Sequence, residues 1–184
     1  MYDPSLEHDA CGLGFVADIK RPPTHDVVSK GVEILRRLAH RGAAGCDPCT
    51  SDGAGILLHV PHAHFDRVLG RAGIDLPNAG DYGVAQCFLS RDAQVRAAEV
   101  RVIEGAVRHH NQKVIGWRDV PVDPSVLGPL ARASMPVLRQ LFIGRMCPVP
   151  VFERTLFMIR KRASSRATDA GLTGFYVASL SSKT

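Results

Sequence analysis

A layered fold of alternating helices and strands is what this sequence predicts, and three observations carry the prediction. Short apolar runs alternate with stretches whose apolar residues recur every three or four positions. Glycine and proline stand at most junctions between them, where a chain turns most cheaply. The 184 residues, 45% apolar and 22% charged, are enough to bury one real core. Taken alone, the order β-α-β-α-β-α-β-(β)-α-β suggests a parallel α/β sheet.

The first element is Gly12-Leu13-Gly14-Phe15-Val16-Ala17, which reads as a buried strand whose glycines admit a close neighbour. Arg21-Pro22-Pro23 forces a turn, and Thr24 is placed to cap a helix with Asp26 in its first turn. Val28, Val32, Leu35 and Leu38 mark that helix's inner face, and Gly42 is placed to end it in a left-handed cap. Ile56–Val60 reads as a short buried strand ended by Pro61. A helix over 61–72 follows, with Phe65, Val68 and Leu69 inward. Tyr82–Leu89 is the next strand, and Ser90 is read as the N-cap of a helix reaching about His110. Lys113–Val120 is a strand whose Ile115 and Trp117 share a face at period two. The Pro-rich 121–136 stretch is undetermined, and 138–143 is compatible with a strand. Val151–Arg166 is a helix with Phe152, Leu156, Phe157 and Ile159 inward, and Gly174–Leu180 is a last strand.

Composition excludes several classes. No apolar run approaches bilayer length, and no basic-then-apolar signal opens the chain, so no membrane partner is expected. Five cysteines without such a signal argue for a reducing, cytoplasmic setting rather than a disulfide framework. The net charge of +5 comes from arginines spread along the chain. With only 6% aromatic residues, it reads as a solvated basic surface and not as a nucleic-acid site. There is no G-x-G-x-x-G and no G-x-x-x-x-G-K-[ST] to cradle phosphates.

Chemistry concentrates in two places. Cys11 stands between a polar, acidic leader (Tyr2 to Ala10) and the Gly12 run. As a lone cysteine it reads as a buried structural residue. Cut before Cys11, however, the chain would carry a thiol and a free α-amine on one residue, with ordinary pKa values of about 8.5 and 7.7–8.0. The amine could then act as the base that activates its own side chain. The second place is the glycine-dense loop from Gly42 to Gly55, which holds Cys46-Asp47-Pro48-Cys49 and Ser51-Asp52-Gly53-Ala54-Gly55.

Three blocks carry a family resemblance: Cys11-Gly12-Leu13-Gly14-Phe15, Leu35-Arg36-Arg37-Leu38-Ala39-His40-Arg41-Gly42-Ala43-Ala44-Gly45, and Ser51-Asp52-Gly53-Ala54-Gly55-Ile56. In this order and spacing they resemble the class II glutamine amidotransferases. The third block and Gly174–Ser182 resemble the glutamate synthase branch. The resemblance implies an α+β fold, a four-layer αββα N-terminal-nucleophile hydrolase sandwich with largely antiparallel sheets, in place of the parallel sheet. It implies a leader over residues 1–10 that is removed, and a partial amidotransferase domain over 11–184, truncated at its C-terminal end.

It further implies Cys11 as the catalytic nucleophile toward L-glutamine. Arg41 then belongs beside it as a substrate-binding residue, where the plain alternative is a helix C-terminal charge. Gly12 and Gly14 are read as close-packing residues, and Asp52 and Gly53 as loop-forming. No metal is assigned. FMN and an iron–sulfur cluster, downstream synthase domains using 2-oxoglutarate, and a small NAD(P)H-oxidising subunit are implied for a full-length subunit only.

The resemblance places the family's carboxylate-binding arginine and Asn-Gly oxyanion pair downstream of residue 184, and neither Asn78 nor Asn111 precedes Gly. A catalytically incomplete module is therefore one alternative. A metal or redox module built on Cys46 and Cys49 is the other. It lacks a second C-x-x-C, and Cys87, Cys147 and the His59, His62, His64 triplet are scattered.

Overall fold

In the computed structural model, residues 12–19, 24–42, 49–50 and 53–184 are described. They fall into two units, one of the described residues up to Leu58 with Asp123–Met135, the other of His59–Val122 with Pro136–Thr184.

The second unit is organised on strands β1 (Tyr82–Leu89), β2 (Lys113–Asp119), β3 (Val137–Gly144) and β4 (Tyr176–Ser181), in the order β2-β3-β1-β4. Every neighbouring pair is antiparallel. The parallel sheet suggested by chain order does not form, for a topological reason. Strands β1 and β2, joined through one helix, run parallel but have β3 inserted between them; β3 and β4 likewise flank β1. These are two interleaved split β-α-β crossovers.

The crossover helices α3 (Ala93–His109) and α5 (Val149–Asp169) pack together on one face. There Ile103, Val107, Phe152, Leu156 and Ile159 meet Ala85, Cys87, Leu141, Ile143 and Val177. The other face meets helix α2 (His62–Gly70) through Phe65 and Leu69, which pack on Tyr82, Val84 and Phe142. Phe65 and Phe142 touch edge to face at 5.1 Å between ring centres.

Several expectations change in this unit. Helix α3 is capped by Asp92, whose Oδ1 accepts from the N–H groups of Gln94 (2.8 Å) and Val95 (2.9 Å); Ser90 instead accepts from Asp92 N–H through its Oγ. Ile115 and Trp117 do not share a face. Between Val114 and Gly116 the register to β3 shifts at a β-bulge, sending Ile115 to the α2 side and Trp117 to the α3/α5 side. Phe157 is 52% exposed rather than inward. No described helix is long and apolar enough to cross a membrane.

The first unit holds helix α1 (His25–Arg37), a 3-10 turn over Ala39–Arg41 and the short helix α4 (Pro129–Ser134). The Pro-rich stretch is thus partly helical. Backbone and side-chain bonds tie it to the described loop residues, with Gly128 N–H donating to Cys49 O (3.1 Å) and Ala131 N–H to Thr50 Oγ1 (3.4 Å). Residues 12–17 and 56–60, expected as buried strands, join no sheet ladder among the described residues. Leu13 is 95% and Phe15 88% exposed. An apolar run shows that burial is favourable, but a strand also needs a partner's N–H and C=O groups.

Candidate active site

Helix α1 begins at the expected Thr24 cap, though without a side-chain bond there, and Lys30 pairs with Asp26 at 2.7 Å. Its inner face is largely the one expected, with Val28, Leu35 and Leu38 half-buried. Val32 points outward, and Gly31 and Ile34 meet the neighbouring extended segments instead. The missing Cβ of Gly31 leaves room for Ile56, whose Cδ1 would stand 2.8 Å from it. Gly14 admits Ile34 in the same way, Cγ2 standing 2.5 Å from the Cβ position. These close approaches are what the glycines allow.

The helix does not end in a left-handed glycine. Gly42 is extended (φ −83°, ψ 144°), and the chain tightens into the 3-10 turn with Arg41 N–H donating to Leu38 O at 2.8 Å. The turn sets Arg41 against Gly12. A Cβ on Gly12 would lie 3.0 Å from Leu38 Cδ2 and 3.2 and 3.3 Å from Arg41 Cβ and Cγ. Cys11 itself, Cys46 and Asp52 lie outside the described residues. The stem of Arg41 therefore packs on the residue that immediately follows Cys11.

Electrostatics single out Arg41 among its neighbours. Glu33 takes Arg37 at 2.9 Å and lies 4.0 Å from Arg36, so those two guanidiniums share one carboxylate. Arg41 is exposed, and its guanidinium makes no hydrogen bond or ion pair among the described residues. An unengaged guanidinium presents a fork that matches a carboxylate in a bidentate pair.

Cys87, Cys147 and the histidines of the described residues form no shared metal or redox cluster. Among the described residues no group of three or more His, Cys, Asp or Glu side chains could hold a metal ion. Cys87 is fully buried, and burial pushes its thiol up to about 12 against a smaller opposing pull from Arg139. It is neither a nucleophile nor a ligand near neutrality. Cys147 Sγ lies 3.8 Å from Thr155 Oγ1, His59 bonds the Val60 carbonyl, and His62 bonds the Tyr82 hydroxyl. His109 and His110 stack edge to face at the end of α3, where burial first, then His109 and Arg162, lower the His110 pKa.

Sequence reasoning missed what holds the Ser181-Ser182 segment. Glu153 on α5 accepts from Ser181 Oγ (3.0 Å), Ser182 N–H (2.7 Å) and Ser182 Oγ, while Ser181 Oγ accepts from Lys183 N–H at 2.9 Å. Lys183 O in turn accepts from Val60 N–H at 2.9 Å. The only sequence signal was an acid interrupting an amphipathic helix, which ordinarily marks a solvated position.

The comparisons agree with the three blocks. The family of class II glutamine amidotransferases matches residues 11–184. The chain is 42% identical to the glutamate synthase [NADPH] large chain of Bacillus subtilis, covering 100% of this chain and 12% of that protein. It is 35% identical to the corresponding large chain of Azospirillum brasilense over 99% of this chain and 12% of that one. It is 33% identical to a chloroplastic ferredoxin-dependent glutamate synthase of Arabidopsis thaliana over 97% of this chain and 11% of that one. The chain thus spans about an eighth of the length of these relatives.

Proposed function

The chain belongs to the class II glutamine amidotransferases, and from that premise we propose that it is the glutaminase part of a glutamate synthase. Residues 1–10 are a leader, and its removal makes Cys11 the N-terminus of a domain over 11–184. The α-amine of Cys11 takes the thiol proton, and the thiolate attacks the side-chain carbonyl carbon of L-glutamine. The amide nitrogen leaves as ammonia, carrying the proton returned by the α-ammonium. Water then attacks the γ-glutamyl thioester, releasing glutamate and regenerating the thiol. Arg41 binds substrate and keeps the Cys11 end of the chain in place. The observation that supports this best is the packing of the Arg41 stem on Gly12, with its guanidinium unengaged among the described residues.

The ammonia passes to 2-oxoglutarate in a synthase region served by FMN, an iron–sulfur cluster and a small NAD(P)H-oxidising subunit. An iron–sulfur cluster does not fit the residues described here. A cluster needs about four thiolates converging on it, whereas Cys49 is exposed, Cys147 half-buried and Cys87 held protonated in the core.

Intact mass of the protein from its native host tests the reading, the expected result being loss of Met1 to Ala10. A host protein that releases ammonia from glutamine while keeping its leader would sink the mechanism. Cys11→Ser should lose most activity, because a hydroxyl is a far poorer nucleophile near neutral pH.

A further inference from the structure

The outer surface of the α3/α5 layer carries a groove of about 480 Å³ lined by Arg101, Val102, Gly105, Ala106, Arg162, Arg166, Asp169 and Ala170. Arg101 of α3 and Arg162 and Arg166 of α5, distant in sequence, converge here. Among the described residues, Arg101, Arg162 and Arg166 make no hydrogen bond or ion pair through their side chains. On α3, by contrast, Arg108 pairs with Glu104 at 3.3 Å. Like charges one helical turn apart, as Arg162 and Arg166 are, cost a few tenths of a kcal/mol. The floor is small and apolar, and a Cβ on Gly105 would meet nothing within 4 Å.

We propose that this groove docks an extended acidic segment of a partner polypeptide, its carboxylates paired with Arg101, Arg162 and Arg166. Charge and shape both select that occupant. Three guanidiniums against the single carboxylate of Asp169 leave an excess of positive charge that a carboxylate-bearing chain neutralises. Four helical residues rise about 6 Å, close to the spacing of about 6.6 Å between alternate side chains of an extended strand. A Glu-x-Glu pattern therefore meets Arg162 and Arg166 in register. No lining residue is aromatic, so the groove offers no ring on which a nucleotide base could stack.

Binding of a fluorescein-labelled peptide of alternating Glu and Ser, followed by anisotropy with the full chain at low salt, tests the proposal. Arg162→Gln/Arg166→Gln should weaken binding by about tenfold or more, the loss of two charge-assisted pairs. Gly105→Leu, which fills the groove without changing charge, should weaken it as well, with thermal unfolding confirming that each variant folds. Equal loss in Arg67→Gln/Arg71→Gln, a charge-matched pair on and just after α2, would show attraction to net charge alone and overturn the proposal. So would a peptide affinity unchanged by Gly105→Leu, or displacement by inorganic triphosphate at concentrations well below those of unlabelled peptide.

Discussion

Gly12→Ala isolates the contact on which the proposed site depends. The new methyl would sit 3.0 Å from Leu38 Cδ2 and 3.2 and 3.3 Å from Arg41 Cβ and Cγ. Carbon pairs are comfortable at about 3.5–4.0 Å, so something must give by roughly 0.3–0.5 Å. The Leu38 methyl can rotate away. The Arg41 Cβ cannot, because Arg41 N–H is bonded to Leu38 O at 2.8 Å and Gly42 N–H to Ala39 O at 3.2 Å. Residue 12 moves instead and takes Cys11 with it. If a misplacement of about 1 Å costs about a hundredfold, a shift near 0.4 Å costs about sixfold, or about 1 kcal/mol of barrier. The assay is the rate at which a glutamine-shaped diazoketone labels Cys11 in the chain beginning at Cys11, divided by the rate for iodoacetamide. Gly53→Ala is the control, since a Cβ there meets nothing within 4 Å. A Gly12→Ala rate ratio equal to that of Gly53→Ala would refute the reasoning.

Arg41→Lys should retain the charge but lose the bidentate fork, lowering diazoketone labelling about tenfold while leaving iodoacetamide labelling unchanged. Gly14→Ala drives a methyl to 2.5 Å from Ile34 Cγ2, a stiff β-branched atom, and should destabilise by about 1–3 kcal/mol in urea unfolding, with Ile34→Ala recovering part of the loss. Glu153→Ala strips acceptors from Ser181 and Ser182 and should cost about 1–3 kcal/mol by the same measurement. Stability should also fall as pH rises above the ordinary thiol value of 9.0. The unfolded chain ionises Cys87 there, whereas the buried thiol, held near 12 mainly by desolvation, does not. Cys87→Ala should flatten that alkaline slope.

What the sequence made legible follows from which physics is local. Strand β1 lies where its apolar run placed it, and α2 and α5 turn inward the faces that contain Phe65, Leu69, Phe152, Leu156 and Ile159, because an amphipathic period is written residue by residue. Neighbour choice is not local. The helices α3 and α5 do join parallel strands, as the alternation implied, but the strand inserted into each crossover makes every hydrogen-bonded pair antiparallel. The same limit explains Ile115 and Trp117. Their period-two spacing puts them on one face only if the ladder is regular, and the bulge beside Gly116 breaks the parity. Gly116 fits that break: a Cβ there would stand 2.9 Å from Ile74 Cδ1, so the missing side chain lets Ile74 reach the strand. The site obeys a mixed rule. Arg41 and Gly12 were legible as a motif and as a close-packing glycine, each from its own neighbours. Their contact was not, because it depends on a 3-10 turn replacing the left-handed cap that Gly42 invited. An extended Gly42 costs little, since the turn already satisfies the carbonyls of Leu38 and Ala39 through the Arg41 and Gly42 N–H groups.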